Sequence, residues 1–229
     1  MLCGYTSCGL DLQMLICSAI ISNNGQTYIR ENVMIKILPR PIKGSWTSGY
    51  ALDIHTLNSE YIGYNEYGHP QFDTKYSDMG QLLNRLKYKS DKSVLGIIIE
   101  AAVKFINSRN WQADMIVPVP PSRSERAFQP VMAVAKGISK LSGIKLCADC
   151  VVKIKQTPEL KNIYELDKRM EILKDAYHVV KKQVEGQKII LFDFYRSGAT
   201  LNAITQALEK EGKTEKIYAL TLTKTRRMK

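Results

Sequence analysis

The sequence has little cysteine, no glycine motif of the common nucleotide-binding types and no long apolar run. Five cysteines in 229 residues are too few for a disulfide scaffold. Cys147 and Cys150 have CxxC spacing, but a structural zinc ion needs four ligands, and Cys3 and Cys8 would complete a set only if folding brought them close. We therefore expect buried or incidental thiols and no zinc. Because neither GxxxxGK[ST] nor GxGxxG occurs, kinase-type P-loop and Rossmann sites are excluded.

The N-terminal region contains no segment able to cross a bilayer. The stretch Leu10–Ile21 is moderately apolar, but it carries Asp11, Gln13 and Ser18 and no basic region precedes it. We expect residues 1–25 to be a poorly ordered extension of a cytoplasmic protein that does not associate with membranes.

Acidic residues are scarce relative to basic ones. The chain has 33 Lys and Arg against 22 Asp and Glu, a net charge of +11. Such an excess favours anionic partners, namely nucleotides, phosphorylated sugars or nucleic acid. A basic surface that binds nothing is an equally weighted alternative, because charge indicates association and not chemistry.

The most informative stretch runs from Lys188 to Ala203. Four apolar residues lead into Asp193, a turn with glycine follows over Arg196–Thr200, and an apolar helical pattern begins after it. Backbone N–H groups of such a turn, together with the helix dipole, favour an anion. Ser197, Thr200 and the guanidinium of Arg196 add donors, whereas the acceptor-only carboxylate suits sugar hydroxyls. The stretch predicts a phosphate site, with an ordinary capped turn as the alternative.

A second strand-loop-helix unit precedes it. Residues 114–121 form an apolar strand that stops at prolines, and a helix is predicted from Pro130 to Leu141 with Gly143 as its cap. Arg123 and Arg126 in the intervening loop would bind a diphosphate bidentately, or else be surface arginines.

The rest of the chain alternates helices and strands. The patterns predict helices over residues 77–89, 94–108 and 201–211, and strands over residues 176–180 and 216–222. Alternation of this kind predicts an α/β fold with a mainly parallel sheet flanked by helices, whose ligands bind at the carboxyl ends of the strands.

Residues 26–76 are richer in β-type and aromatic residues. We expect a β-rich N-terminal subdomain there, because aromatic residues at this density usually pack together. Residues 77–229 would then form the main domain. His55, His69, Asp53 and Asp73 show no recognised metal-ligand spacing.

Residues 193–200 resemble the ribose-phosphate loop of type I phosphoribosyltransferases. Leu86-Lys87-Tyr88 and the Val117-Pro-Val-Pro120 strand with its following arginines extend the resemblance to the ComF/GntX (competence protein F) family, over residues 77–225. The resemblance implies a type I phosphoribosyltransferase fold that binds 5-phosphoribosyl 1-diphosphate (PRPP) with Mg²⁺. A nucleobase or amine nitrogen would displace pyrophosphate.

The resemblance also assigns roles to individual residues. Asp193, Arg169 and Lys155 would be catalytic, and Arg169, Lys155 and Thr157 would belong to a mobile lid that excludes water. The 5′-phosphate would bind Arg196, Ser197, Gly198, Ala199 and Thr200. The ribose would bind Asp193 and Tyr195. The pyrophosphate would bind Pro121, Ser122, Arg123 and Arg126. Mg²⁺ would bind mainly through PRPP, with Asp193 as its one candidate protein ligand.

The sequence departs from the family pattern in three places. Phe192 stands where the family has the first of two acids, Ala127–Pro130 replaces a GFNQ segment, and the paired CxxC motifs of an N-terminal zinc ribbon are absent. The loss of one acid implies weakened activity. It also keeps an alternative open, a catalytically silent PRPP or nucleotide sensor or an accessory protein for single-stranded DNA. A homodimer is compatible with either alternative.

Overall fold

The computed structural model describes residues 21–23, 26–28, 35–121, 127–158, 163, 165–194 and 198–225. Contacts divide the chain into two compact units, residues 1–34 and residues 35–229. In the first unit, strands β1 (Ile21–Asn23) and β2 (Gln26–Tyr28) form an antiparallel hairpin. The second unit holds all the other described residues.

A six-stranded sheet forms the centre of the second unit. Its spatial order is β3-β4-β12-β11-β7-β8, and every neighbouring pair is parallel except the edge strand β3 with β4. The strands are β3 (Arg40–Pro41), β4 (Ser48–Ile54), β7 (Met115–Pro118), β8 (Lys145–Leu146), β11 (Lys188–Asp193) and β12 (Lys216–Lys224). Helices cover both faces, so the predicted α/β class with a mainly parallel sheet is confirmed.

Each face of the sheet has its own hydrophobic core. One core packs the sheet against α1 (Asp78–Tyr88), α2 (Leu95–Arg109) and α3 (Pro130–Ser142). The other packs it against α4 (Leu166–Leu173) and α6 (Ala199–Ala207), the latter continued by a π-helical turn, Leu208–Gly212. The short α5 (Lys181–Val184) precedes β11.

Local signals explain where these helices begin and end. The Ser77 hydroxyl accepts a hydrogen bond from the Gly80 N–H at 3.0 Å and so caps α1. Gly143 ends α3 with a φ of 77°, a left-handed conformation that glycine adopts without strain. A side chain at Gly80 would collide with the His55 carbonyl oxygen. Because glycine has no side chain, α1 can approach the end of β4 closely.

Two hairpins lie outside the central sheet. Strands β5 (Thr56–Tyr64) and β6 (Pro70–Tyr76) pair antiparallel directly after β4. Strands β9 (Val151–Lys153) and β10 (Tyr177–Val179) also pair antiparallel, and β10 contacts α6. Just before β9, Cys147 and Cys150 are buried and joined by a disulfide, whereas thiols were expected.

Residues 26–76 differ in part from the expected β-rich subdomain. Strand β4 belongs to the central sheet, and the contact division falls after residue 34 and not after residue 76. Strands β5 and β6 form a two-stranded sheet of their own. Its tyrosines Tyr61, Tyr64 and Tyr67 are exposed by 53, 71 and 75%, where packing had been expected.

Candidate functional site

The candidate site lies at the carboxyl ends of β7 and β11, which are parallel neighbours. After β7 the chain continues into α3 and then to β8 on one side of the sheet order, and after β11 it continues into α6 and to β12 on the other side. The strand order therefore reverses between β7 and β11. Open α/β sheets bind ligands at such a reversal point. A hydrogen bond of 2.9 Å from the Val119 N–H to the Phe192 carbonyl joins the ends of the two strands.

Asp193 and Phe192 point to opposite faces of the sheet. Phe192 is fully buried in the core with α1–α3 and meets Phe194 edge-on, with ring centroids 6.1 Å apart. Strand alternation turns Asp193 to the other face, the one that α6 covers, and leaves it half-buried. One carboxylate oxygen accepts a hydrogen bond of 2.7 Å from the Phe194 N–H. Phe192 therefore takes no position on the face that carries Asp193.

The first turn of α6 supplies backbone donors next to Asp193. Gly198 precedes the helix with a φ of 83°, a left-handed conformation that favours glycine. In an α-helix the first N–H groups have no acceptor within the helix. Among the hydrogen bonds between described residues, none uses the N–H of Ala199 or Thr200 as donor. These two amides and the helix dipole are suited to an anion.

Asn202 orients the turn that precedes α6. Its backbone N–H and its side-chain amide both donate to the Gly198 carbonyl, at 2.9 and 3.0 Å. The Asn202 amide oxygen in turn accepts the Ser45 N–H at 2.9 Å. These bonds hold the Gly198 carbonyl toward the helix. The N–H groups of the first turn then point away from the N-terminal end of α6.

Tyr177 joins the β9–β10 hairpin to this turn, and sequence reasoning did not find it. The Tyr177 hydroxyl interacts with the Thr200 side chain and lies close enough to Asp193 to sense its charge. Burial and the Asp193 carboxylate raise the pKa of Tyr177 to about 12, although the interaction with Thr200 opposes the shift. The phenol therefore stays neutral at physiological pH and can donate a hydrogen bond. In the sequence it is one aromatic residue of a short strand, so only the fold identifies it.

Thr221 is a second residue that the sequence did not indicate. It pairs in register with Asp193 across β12 and β11, which directs both side chains to the same face. Its hydroxyl is completely buried, and within the described part of the chain it has no hydrogen-bond partner. Buried polar atoms without a hydrogen-bond partner are rare, and this one lies beside the acid of the candidate site.

The predicted lid residues lie on different elements. Lys155 is exposed just after β9, and Thr157 accepts a hydrogen bond of 2.7 Å from the Lys153 ammonium. Lys153 stands opposite Tyr177 in the hairpin, and burial lowers the pKa of its ammonium group. Arg169 lies on α4, only 4% exposed, and its Nε donates to the Ile163 carbonyl.

Several predicted site residues lie outside the described residues. These are Ser122, Arg123 and Arg126 of the loop after β7, and Tyr195, Arg196 and Ser197 of the loop after β11. Pro121, just before the first of these loops, is exposed. Their roles stay predictions.

The described part of the site offers few ligands for a metal ion. Within the described ranges, no group of three or more His, Cys, Asp or Glu residues could hold one. Asp193 offers oxygen ligands, which Mg²⁺ prefers when it bridges the phosphates of a substrate and keeps several waters. The site therefore fits a magnesium ion carried in by a diphosphate. Among the described residues, no helix is both long and apolar enough to span a membrane.

Comparison with known proteins finds likeness only among solved structures. No protein-family model and no curated protein matches the chain. Glutamine PRPP amidotransferase from Bacillus subtilis is 15% identical with a TM-score of 0.42, over 68% of this chain and 34% of that one. The chain thus spans about a third of the amidotransferase.

Two smaller enzymes are also similar. Adenine phosphoribosyltransferase from Saccharomyces cerevisiae is 11% identical with a TM-score of 0.43, over 74% of this chain and 85% of that one. Orotate phosphoribosyltransferase from Francisella tularensis is 9% identical with a TM-score of 0.37, over 73 and 78% of the two chains. Likeness at this level carries no conclusion about activity.

Proposed function

We propose that the protein is a phosphoribosyltransferase that binds PRPP between the ends of β7 and β11. The observation that carries the proposal is the adjacency of these two strand ends at the reversal of the strand order. One strand continues into a loop with two arginines, and the other ends at Asp193 before the first turn of α6. A sugar with phosphates at both ends requires two anion sites separated by a hydroxyl acceptor.

The first turn of α6 would hold the 5′-phosphate. Gly198, Ala199 and Thr200 would bind it together with Arg196 and Ser197, through N–H groups, hydroxyls and a guanidinium. The neutral phenol of Tyr177 would hold the Thr200 side chain in place. Asp193 would accept from a ribose hydroxyl, with Tyr195 alongside the ribose.

The loop after β7 would hold the diphosphate. Arg123 and Arg126 would form bidentate hydrogen bonds to its oxygens, with Pro121 and Ser122 at the start of the loop. When bound, Mg²⁺ would neutralise part of the diphosphate charge. Lys155, Thr157 and Arg169 would belong to the segment that covers the substrate.

The proposed reaction needs no protein nucleophile. The bond between the anomeric carbon and the diphosphate oxygen breaks, and a nitrogen of a nucleobase or amine forms the new bond to that carbon. The acceptor nitrogen loses a proton, and pyrophosphate leaves with the bonding electron pair. The protein lowers the barrier by positioning the reactants and by stabilising the charge of the leaving group.

Pyrophosphate release from PRPP and Mg²⁺, with a panel of nucleobases and amines, tests the proposal. The variant Asp193→Asn keeps the shape of the side chain and the acceptor for the Phe194 N–H but removes the charge. Loss of one charge-assisted hydrogen bond, about 1.5–3 kcal/mol, predicts a decrease of roughly ten- to a hundredfold in kcat/KM. Glu209→Gln is the matched control, because Glu209 is exposed beyond the opposite end of α6.

Three outcomes are distinguishable. Acceptor-dependent release that Asp193→Asn lowers and Glu209→Gln preserves supports the transferase. PRPP binding without release by any acceptor supports the silent sensor. Absence of PRPP binding to the wild-type protein overturns both.

A further inference from the structure

The hairpin of β5 and β6 carries an unusual concentration of exposed aromatic residues. Cross-strand pairing places Tyr61 opposite Phe72 and Tyr64 opposite Pro70 on one side of the hairpin. Tyr61 touches both Tyr64 and Phe72 edge-on, with centroids 5.6 and 5.7 Å away. We call this side the aromatic face, and its members are Ser59, Tyr61, Tyr64, Pro70, Phe72 and Thr74.

The aromatic face carries no charge. The pairs Asn58 with Lys75 and Glu60 with Asp73 alternate with the aromatic pairs and therefore point to the opposite side. On the aromatic face, the Ser59 and Thr74 hydroxyls form a hydrogen bond of 2.9 Å with each other. This bond lowers the cost of removing the two hydroxyls from water. The hairpin is thus amphipathic, but its apolar side faces solvent.

A two-stranded hairpin with an uncovered apolar side is marginally stable in water, so a partner surface is expected. Tyr61, Tyr64 and Phe72 are exposed by 53, 71 and 55%. At about 200 Å² for each aromatic side chain, one chain exposes about 350 Å² of ring surface in this patch. Two such faces would bury about 700 Å² of ring surface, to which the flanking exposed Ser59 and Pro70 add, and this area is in the range of weak, transient interfaces.

Charge decides which partner fits. Residues 56–76 contain three carboxylates (Glu60, Glu66 and Asp73) and one lysine (Lys75), which makes them −2 in a chain of +11. An anionic nucleic acid would meet a hairpin of its own sign with no cation on the aromatic face. A second copy of this chain would bring an uncharged face against an uncharged face, with the carboxylates of Glu60 and Asp73 directed away. Two-fold pairing also requires a self-complementary patch, which a row of edge-on rings provides.

We propose that the aromatic face of β5–β6 is a homodimer interface, through which two copies of this chain associate weakly about a two-fold axis. The hairpin leaves the sheet at the end of β4, on the same edge as Asp193. The interface therefore lies at the ligand-binding edge of each subunit and not at the opposite one. The inference does not depend on the transferase activity, because it uses no residue of the PRPP site.

Sedimentation velocity of the full chain, from about 1 to 300 μM, tests the inference. We expect the average mass to rise with concentration from the 26.0 kDa of one chain toward twice that value. The double variant Tyr61→Ser/Phe72→Ser should raise the dissociation constant by at least about tenfold, because aromatic residues at the centre of an interface dominate its affinity. Tyr88→Ser is the matched control, since Tyr88 is 72% exposed on another surface, and it should leave the constant unchanged.

Circular dichroism and the thermal midpoint of each variant exclude a folding defect. A wild-type chain that stays at 26.0 kDa throughout overturns the inference and indicates that another segment or molecule covers the face. A dimer that the double variant leaves intact also overturns it, because the contact then lies elsewhere. Binding of a single-stranded oligonucleotide that the double variant abolishes would make the hairpin a nucleic-acid surface instead.

Discussion

The hydroxyl of Tyr177 interacts with the side chain of Thr200, which links the β9–β10 hairpin to the first turn of α6. The phenol is buried near Asp193, and the carboxylate charge raises the pKa of the phenol further than burial alone. Tyr177 thus links β10, the strand after the predicted lid residues, to the first turn of α6, the predicted phosphate site.

The first prediction concerns the pH dependence of stability. The pKa of Tyr177 rises from the ordinary 10 to about 12 on folding, so the folded state holds this proton more tightly. The corresponding stability is complete below pH 10 and is lost as the pH rises from 10 through 12. Between about pH 9 and 12, wild type should therefore lose on the order of 2 kcal/mol of unfolding free energy that Tyr177→Phe does not lose.

Urea unfolding at a series of pH values measures this difference. Tyr88→Phe removes an exposed phenol and controls for the loss of a tyrosine as such. If the unfolding free energies of wild type and Tyr177→Phe change in parallel with pH, folding does not raise the pKa of this phenol.

The second prediction separates backbone strain from ligand binding. Gly198 and Gly143 both have a positive φ, of 83 and 77°, at a helix terminus. Alanine in this conformation costs about 1–2 kcal/mol at either position. Only Gly198→Ala should also weaken PRPP binding in a titration, because only this glycine precedes the proposed phosphate turn. Equal PRPP affinity in both variants would remove Gly198 from the site.

The third prediction uses two buried threonines of β12. Thr221 has no partner among the described residues, whereas the Thr223 hydroxyl lies 3.4 Å from the His55 Nδ1. Thr221→Val removes an unsatisfied polar atom and should raise the unfolding free energy by about 1 kcal/mol. Thr223→Val should lower it by a similar amount. Chemical denaturation checks both, and a loss of stability in Thr221→Val would show that this hydroxyl is in fact bonded.

The fourth prediction concerns the departure at Phe192. An aspartate at this position would enter the apolar core with α1–α3 and not the face of Asp193, since Phe192 is fully buried there. Phe192→Asp should therefore lower the unfolding free energy by roughly 4 kcal/mol or more, without any gain in transferase activity. Phe192→Leu, a shape change within the core, should lower it by about 1–2 kcal/mol. A folded and more active Phe192→Asp would contradict the assignment of faces.

The sequence predicted best the features that depend on neighbours in the chain. Ser77, followed by a periodic apolar pattern, indicated α1, and Gly143 marked the end of α3, because caps act within one helical turn. Alternation of strands and helices predicted the mainly parallel sheet. The prediction that β7 and β11 end at the same edge of the sheet followed from the rule for parallel strands.

Other features could not be obtained from local pattern. Strand β4 was assigned to an N-terminal subdomain, because nothing in Ser48–Ile54 indicates that it pairs with β12, more than 150 residues later. The many aromatic residues of β5–β6 suggested packing, but most of them are exposed. An aromatic side chain indicates only a preference for burial, and the sequence does not show whether another part of the chain packs over it. Cys147 and Cys150 were expected to be thiols, and their pairing depends on the turn between β8 and β9.

By itself, the sequence determined the α/β class, the positions of the main helices and the acid–glycine–helix turn at Asp193, because each of these is encoded by residues within a few positions of one another. The tertiary structure alone decided that Phe192 faces the core, that Tyr177 meets Thr200 and that Thr221 lies beside Asp193. These contacts join separate elements, and their geometry is set by strand order and register, which the packing of the whole sheet determines.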